Sequence, residues 1–250
     1  SLALGDPTSI RLNRALSALA NLKERDKVLE VGCGAGQFIR AVKKFRPELG
    51  CHGTDISHSA IEAAKQSSDG VIYEEQKSDS LPHADQTFSA VLIFDVLEHV
   101  TDPAAFLREV NRVLRPGGIL YAFVPCEGDI LSIWHLLRLL NIGGELTRKF
   151  AGHIQYFSRR SLLDLKKKSG FRIKAVNYSE HILGQLLGVA AFLSMSLVSF
   201  PPLLGEGQER GIGEQINNEM YFTKNLKEGN LRWLRRFVNS LVYLESYLFQ

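Results

Sequence analysis

Leu12, Leu16, Leu19 and Leu22 recur at three- and four-residue intervals, which predicts an amphipathic helix at the start of the chain. The period then changes. Val28–Val31 is a short apolar run that ends in Gly32-Cys33-Gly34-Ala35-Gly36, a pattern of strand, turn and helix start. That helix is expected to run to Phe45 and stop before Pro47. Cys51–Thr54 is the next short strand, and Ser57 can cap a helix through Gln66. Val71–Tyr73 is a third strand. Phe88–Phe94 is a fourth, almost wholly apolar, as a strand buried on both faces should be. Asp102 and Pro103 open a helix through Leu114 by cap and first-turn proline. Pro116-Gly117-Gly118 is a turn, and Ile119–Val124 a fifth strand. Ser158 caps a helix ending at Gly170, with Lys166, Lys167 and Lys168 where they suit its dipole. Phe171–Tyr178 reads as a sixth strand. This alternation predicts an α/β fold with a mostly parallel sheet and helices on both faces.

After residue 179 the alternation stops. Ile182–Phe200 is 19 residues without a charge, followed by Pro201-Pro202. A bilayer span needs about 20 apolar residues. Gln185, two glycines and three serines argue for a buried cap helix instead, with a membrane-contacting surface as the alternative. Residues 206–230 are polar. Leu231–Phe249 is again amphipathic, with Leu234, Phe237, Val238, Leu241, Leu244 and Leu248 on one face. The expected organisation is an N-terminal helix over 1–24, a core over 25–179 with a lid-like insertion at 126–157, and a helical cap over 180–250.

Composition narrows the function classes. At 45% hydrophobic and with 8 prolines in 250 residues, the chain is not a disordered or low-complexity protein. Its net charge of +3 does not demand a polyanionic partner. Cys33, Cys51 and Cys126 have neither CxxC spacing nor an even count, so a zinc ribbon or disulfide scaffold is not expected and a reducing, cytoplasmic compartment is. No secretory leader is visible, and Ser1 in place of Met points to a trimmed start.

Four places carry candidate chemistry. The turn after Glu30 has its glycines as GxGxG, with Gln37 where a dinucleotide fold has its last glycine. Glu30 suits a cationic ligand better than a pyrophosphate, which prefers bare amides. Asp55 ends the second strand and can accept both hydroxyls of a ribose; a helix N-cap is the alternative. Asp79, after the third strand, can accept from an adenine amino group or be a plain loop aspartate. Asp95 follows the fourth strand, at the sheet edge where open α/β proteins bind ligands.

The segments Val28–Gly36, Gly53-Thr54-Asp55-Ile56-Ser57, Phe94–Val100 and Leu114–Gly118, in that order and spacing, resemble the class I S-adenosylmethionine-dependent methyltransferases, in particular the type 11 methyltransferase group. Gly152–Ser158 followed by a helix extends the resemblance to residue 178. The resemblance implies a Rossmann-like core and S-adenosylmethionine as the methyl donor. It places Glu30 near the methionine end, and Gly32, Cys33, Gly34 and Gly36 around methionine and ribose. Asp55 falls on the ribose hydroxyls, Ile56 against the adenine, and Asp79, Ser80 and Leu81 at its border. Asp95 and Val96 fall on the methionine side, with His99 toward the acceptor. The family sheet usually ends in a seventh, antiparallel strand, and no convincing strand follows residue 230.

Methyl transfer from a sulfonium needs alignment and exclusion of water, with a general base where a hydroxyl is the acceptor. His153 is the first candidate base, because its loop follows the fifth strand; a structural histidine holding that loop is the alternative. Tyr156 and His99 come second. No His or carboxylate cluster has metal spacing, so no metal is expected. The apolar run Ile130, Ile133, Trp134, Leu136, Leu137, Leu139 and Leu140 favours a small apolar or amphipathic acceptor, with a lipid-like molecule and a membrane surface among the possibilities. The basic pairs lie on helices as solvated charges, and no Asn-Pro-Pro-Tyr-type tetrapeptide is present, so no nucleic-acid partner is expected. The competing expectations are a non-catalytic S-adenosylmethionine-binding partner subunit and a nicotinamide-dependent oxidoreductase.

Overall fold

A computed structural model of the chain describes residues 7–77, 80–130, 132–140, 147–178, 185, 186 and 189. Asp79, most of the uncharged run 182–200 and the whole stretch 190–250 lie outside the described residues, and with them the expected helical cap. Two compact units emerge. One comprises Thr8–Pro125 and Arg160–Lys174; the other contains Cys126–Arg159.

The first unit is built on a five-stranded sheet, all neighbours parallel, in the order β3-β2-β1-β4-β5. The strands are β1 (Lys27–Val31), β2 (Gly50–Asp55), β3 (Ile72–Glu75), β4 (Phe88–Phe94) and β5 (Leu114–Phe123). Every residue of β4 is buried, as its almost wholly apolar sequence requires, and the one polar side chain, Ser89, donates its hydroxyl to Asp26 Oδ1. The helices α1 (Pro7–Ala18), α2 (Gln37–Phe45) and α3 (His58–Lys65) join one face of the sheet. Leu12 and Leu19, Ile39 and Val42, and Ile61 and Ala64 pack there with Val28, Cys51, Tyr73, Ala90 and Leu92 in a single apolar cluster. Leu29, Val31, Val91 and Ile93 have the opposite parity along their strands and are equally buried. Helix α4 (Pro103–Val113) buries Phe106, Leu107, Val110 and Val113 apart from the first cluster. Both faces are therefore covered.

The helix starts follow the local chemistry. Asp102 Oδ1 accepts from the amides of Ala104 and Ala105, and Ser57 Oγ from that of Ala60. Two expectations need correcting. The Pro116-Gly117-Gly118 turn does not precede the fifth strand but lies within it. Phe88 pairs with Leu114 and Ala90 with Ile119, so Arg115–Gly118 bulge out of the ladder, with Gly117 at φ +77. The expected sixth strand, Phe171–Tyr178, is not a strand. Its apolar residues alternate with Arg172 and Lys174, but no strand among the described residues pairs with it, and most of its residues are exposed.

The remaining described elements are a short 3-10 turn at Leu97–His99, helix α5 (Ile133–Leu139), a π-helical turn at Thr147–Ala151 and helix α6 (Arg159–Lys168). No helix among the described residues is long and apolar enough to cross a membrane.

Candidate functional site

In this strand order the chain leaves β1 to one side and reaches β4 on the other, so the crevice of the sheet opens between their carboxyl ends. The turn Gly32–Gly36 leaves β1 at that point. Gly32, Gly34 and Gly36 all have positive φ, at +73, +51 and +80. Their surroundings differ. A Cβ at Gly32 would collide with Val96 Cγ2, and one at Gly36 would collide with the Tyr73 hydroxyl. At Gly34 nothing lies within 4 Å, so there the backbone faces open space. Gly36→Ala should therefore lose at least about 1–2 kcal/mol from the left-handed backbone alone. Urea unfolding of Gly36→Ala and of Gly36→Ala with Tyr73→Ala checks this: the second change should recover the steric share and leave the backbone share.

Asp55 holds the turn from the neighbouring strand. Its Oδ2 accepts from the Gly34 amide at 2.7 Å and its Oδ1 from the Ser57 amide at 2.8 Å. Ser57, not Asp55, is the N-cap of α3. Each carboxylate oxygen retains lone-pair capacity beyond one amide. Ile56, next along, is 49% exposed, an apolar side chain with nothing covering half of it.

Glu30 is 2% exposed, and its Oε2 accepts from the Ile39 amide at 2.8 Å. The N-cap of α2 is Gly36, which offers no side-chain acceptor, so the carboxyl from β1 serves the first turn instead. Burial pushes the Glu30 carboxyl up to about 8; the Ile39 hydrogen bond opposes the shift and the nearby Asp55 charge adds to it. The buried Cys33 thiol is pushed up as well, by burial first and then by Glu30 and Asp55, which makes it a packing residue and not a nucleophile.

Asp95 ends β4 in the left-handed region, at φ +52. Its amide donates to the Phe123 carbonyl, and its Oδ2 pairs with Arg11 Nη1 at 2.6 Å. The Arg11 guanidinium lies 3.7 Å over the Phe123 ring. Arg11 is a partner of Asp95 that the hydrophobic pattern missed. The signal was an arginine beside Leu12 and one turn before Ala15, both buried, hence on the edge of the packed face of α1.

Ser80 and Leu81 are drawn to α4. Ser80 Oγ and the Leu81 amide both donate to Glu109 Oε2 at 3.1 Å, and Arg112 braces Glu109 and the Leu81 carbonyl. Leu81 is 2% exposed, so its side chain is spent on packing. Val96 packs on Gly32, and His99 sits on the 3-10 turn, half-buried.

The other two candidates lie together in the second unit. His153 Nδ1 is 2.8 Å from Glu127 Oε1. Glu127 Oε2 is 3.8 Å from Arg138 Nη2, and the Arg138 guanidinium lies 3.8 Å over the Tyr156 ring. The Gly128 amide donates to the Phe157 carbonyl, and a Cβ at Gly128 would strike the Tyr156 carbonyl oxygen at 2.5 Å. Two strands of irregular chain are thus held backbone to backbone under these side chains.

The strand order and the open glycine turn define an α/β protein whose ligand crevice lies at the switch point of its sheet. A profile of the methyltransferase domain matches residues 9–176, and the chain belongs to that family, the class I S-adenosylmethionine-dependent methyltransferases. It is 33% identical over 192 residues to a ubiquinone/menaquinone biosynthesis C-methyltransferase of Desulfotalea psychrophila, covering 70% of this chain and 77% of that one. It is 31% identical over 98 residues to a ubiquinone biosynthesis O-methyltransferase of Parvibaculum lavamentivorans, 38% of each. The chain spans less than half, 38–44%, of the length of three of the curated methyltransferases it matches. In fold it is similar to phosphoethanolamine N-methyltransferase 2 of Haemonchus contortus, solved with S-adenosyl-L-methionine, at TM-score 0.58 and 16% identity, covering 88% of this chain and 49% of that one.

Proposed function

We propose that this chain moves the methyl group of S-adenosylmethionine onto a small apolar or amphipathic acceptor by in-line displacement. The observation that carries the donor half is the pairing of Asp55 with the Gly34 amide, which sets a carboxylate beside a backbone turn open to solvent. The residues fit the donor. Asp55 takes the ribose hydroxyls with its remaining lone pairs, and Ile56 offers a bare apolar surface to the adenine. Arg11 and Asp95, of opposite charge, match the carboxylate and ammonium of the methionine end. Glu30 acts through the turn, as the acceptor for the start of α2. Asp79 keeps its expected place at the adenine as part of this proposal.

When bound, S-adenosylmethionine supplies a methyl group already activated by its sulfonium. The protein is left with alignment and exclusion of water. The apolar character of the acceptor draws support from the relatives, whose names place them in ubiquinone and menaquinone synthesis, and from Ile130, Leu136, Leu139 and Leu140, all more than half exposed. Calorimetry tests the donor: S-adenosylmethionine and S-adenosylhomocysteine should bind, and NAD should not. Tighter binding of NAD would overturn the proposal.

A further inference from the structure

Two histidines and a phenylalanine meet edge to face where the loop before β4 lies on the sheet. His52, in β2, and His83, in the loop, have ring centroids 6.2 Å apart, and Phe88 packs against them at 5.3 and 4.9 Å. The His83 side chain is 7% exposed. Its Nδ1 faces the Glu74 carboxylate of β3 at 3.2 Å, which puts the proton of the neutral ring on that nitrogen. His83 Nε2 and His52 Nδ1 are buried without a hydrogen-bond partner among the described residues. A second proton on the His83 ring would therefore create a buried N–H with no acceptor. Burial holds both imidazoles below their ordinary value, ahead of any charge. Around His83, Glu74 favours a positive ring, while Arg112 of α4 and Lys27 of β1 oppose it. Around His52, His83 and Lys27 oppose a positive ring and Glu74 favours it. Polar bonds to α4 hold the rest of the loop. Ser80 Oγ and the Leu81 amide donate to Glu109, and Arg112 donates to the Leu81 and His83 carbonyls.

We infer that His83 is an acid-sensitive plug, which seals residues 80–86 onto the sheet while neutral and leaves for water, with that loop, when protonated. What the loop does for the donor rests on the methyltransferase function proposed above, with Ser80 and Leu81 at the adenine border. In the closed loop the ring takes a proton less readily than in water. Below about pH 6.5, the ordinary imidazole value, the open loop therefore binds more protons than the closed one. The advantage of the closed form is complete above that value and is lost as pH falls. The open-to-closed ratio grows by at most about tenfold for each pH unit, because one proton is taken up. His52 stays in place, since it sits in register between Leu29 and Ile72. Opening gives its Nδ1 access to water. A donor that binds the closed loop pulls against the acid, and acid must weaken the donor in return.

Hydrogen exchange of the full chain between pH 7 and pH 5, beside that of His83→Phe, tests the plug. Phenylalanine keeps a ring against Phe88 and takes no proton, and Glu74, 44% exposed, keeps its water. The reporter is the Gln86 amide, which donates to the Arg112 carbonyl. Its exchange rate in the wild type divided by that in the variant is free of the intrinsic pH dependence of exchange. This ratio should rise as pH falls, by up to about 25-fold over the interval. A constant ratio would overturn the inference. Histidine NMR of the wild type decides without a variant: His83 should stay neutral below pH 6.5 while the loop is closed. A ring that titrates at 6.5 with Gln86 still protected would mean that the charge is accepted in place, and would overturn the plug. At pH 5, S-adenosylhomocysteine at about 100 times its Kd should restore protection by about 100-fold. Binding by calorimetry without that protection would overturn the link between loop and donor. Absence of binding at pH 7 would strike the methyltransferase function instead, and the exchange ratio would still decide the plug.

Discussion

Asp55→Ala should weaken the binding of S-adenosylmethionine by about 10²–10⁴-fold. The figure follows from losing two hydrogen bonds to a charged acceptor, each worth about 1.5–3 kcal/mol, at about 1.4 kcal/mol per tenfold change in affinity. Two losses are combined in this substitution. The ribose loses its carboxylate, and the Gly34 and Ser57 amides lose the acceptor that holds the turn to β2. A second ligand separates them. In the wild type, the 2′-deoxy analogue of S-adenosylhomocysteine should bind more weakly than S-adenosylhomocysteine itself. In Asp55→Ala the two should bind alike, because the group that read the hydroxyl is gone. Calorimetry with both ligands on both proteins gives the coupling directly. An undiminished preference for the 2′-hydroxyl in Asp55→Ala would remove Asp55 from the ribose. Folding should survive, since the residue sits at a strand end, and circular dichroism checks that the variant is native before the affinities are compared.

Much of the sheet was visible in the sequence for a simple reason. A strand buried on both faces must be apolar nearly throughout, and Phe88–Phe94 is, with Ser89 the one polar residue. Glycine clusters and cap residues likewise act over a few positions, so the turn at Gly32–Gly36 and the helix starts at Ser57 and Asp102 could be placed from local chemistry. What the sequence hid depends on partners far along the chain. Arg11 meets Asp95 across 84 positions, and nothing in the helical pattern of α1 distinguishes an arginine facing a site from one facing water. Residues 171–178 alternate like a strand, but alternation cannot show whether an edge is there to pair with. The same local pattern of proline and glycines marks either a turn between elements or a bulge within one, and at Arg115–Gly118 it is the bulge. Glu30 looked like a group for a cationic ligand because the need it meets lies nine residues on, at an Ile39 amide that the glycine N-cap cannot satisfy. His153 stood out as a histidine in a loop after β5, while Glu127, 26 positions earlier, gave no local sign of being its partner.

Glu30 also makes the stability of the donor-free protein depend on pH in an unusual direction. Its carboxyl titrates near 8 when folded, against about 4.5 in an ordinary environment. Between those values the native state holds a proton that the unfolded state has lost. Unfolding therefore becomes easier as pH rises through this window, because stability increases with pH only where the unfolded state binds more protons. The contribution of Glu30 is fully present below about pH 4.5 and gone above about pH 8. At about 1.36 kcal/mol for each pH unit the window spans, the total is on the order of 5 kcal/mol, a large share of the ordinary stability of a domain, about 5–15 kcal/mol. Glu30→Gln imitates the protonated carboxyl: its amide oxygen still accepts from Ile39, and it never ionises. Urea unfolding of wild type and Glu30→Gln at pH 5, 7 and 8.5 isolates the effect, since every other titrating group is common to both. The two proteins should be about equally stable at pH 5. At pH 8.5 the variant should be more stable by a few kcal/mol, with pH 7 in between. A difference that does not change with pH would mean that the buried carboxyl ionises at no cost, and that its hydrogen bond to the start of α2 fully offsets its burial.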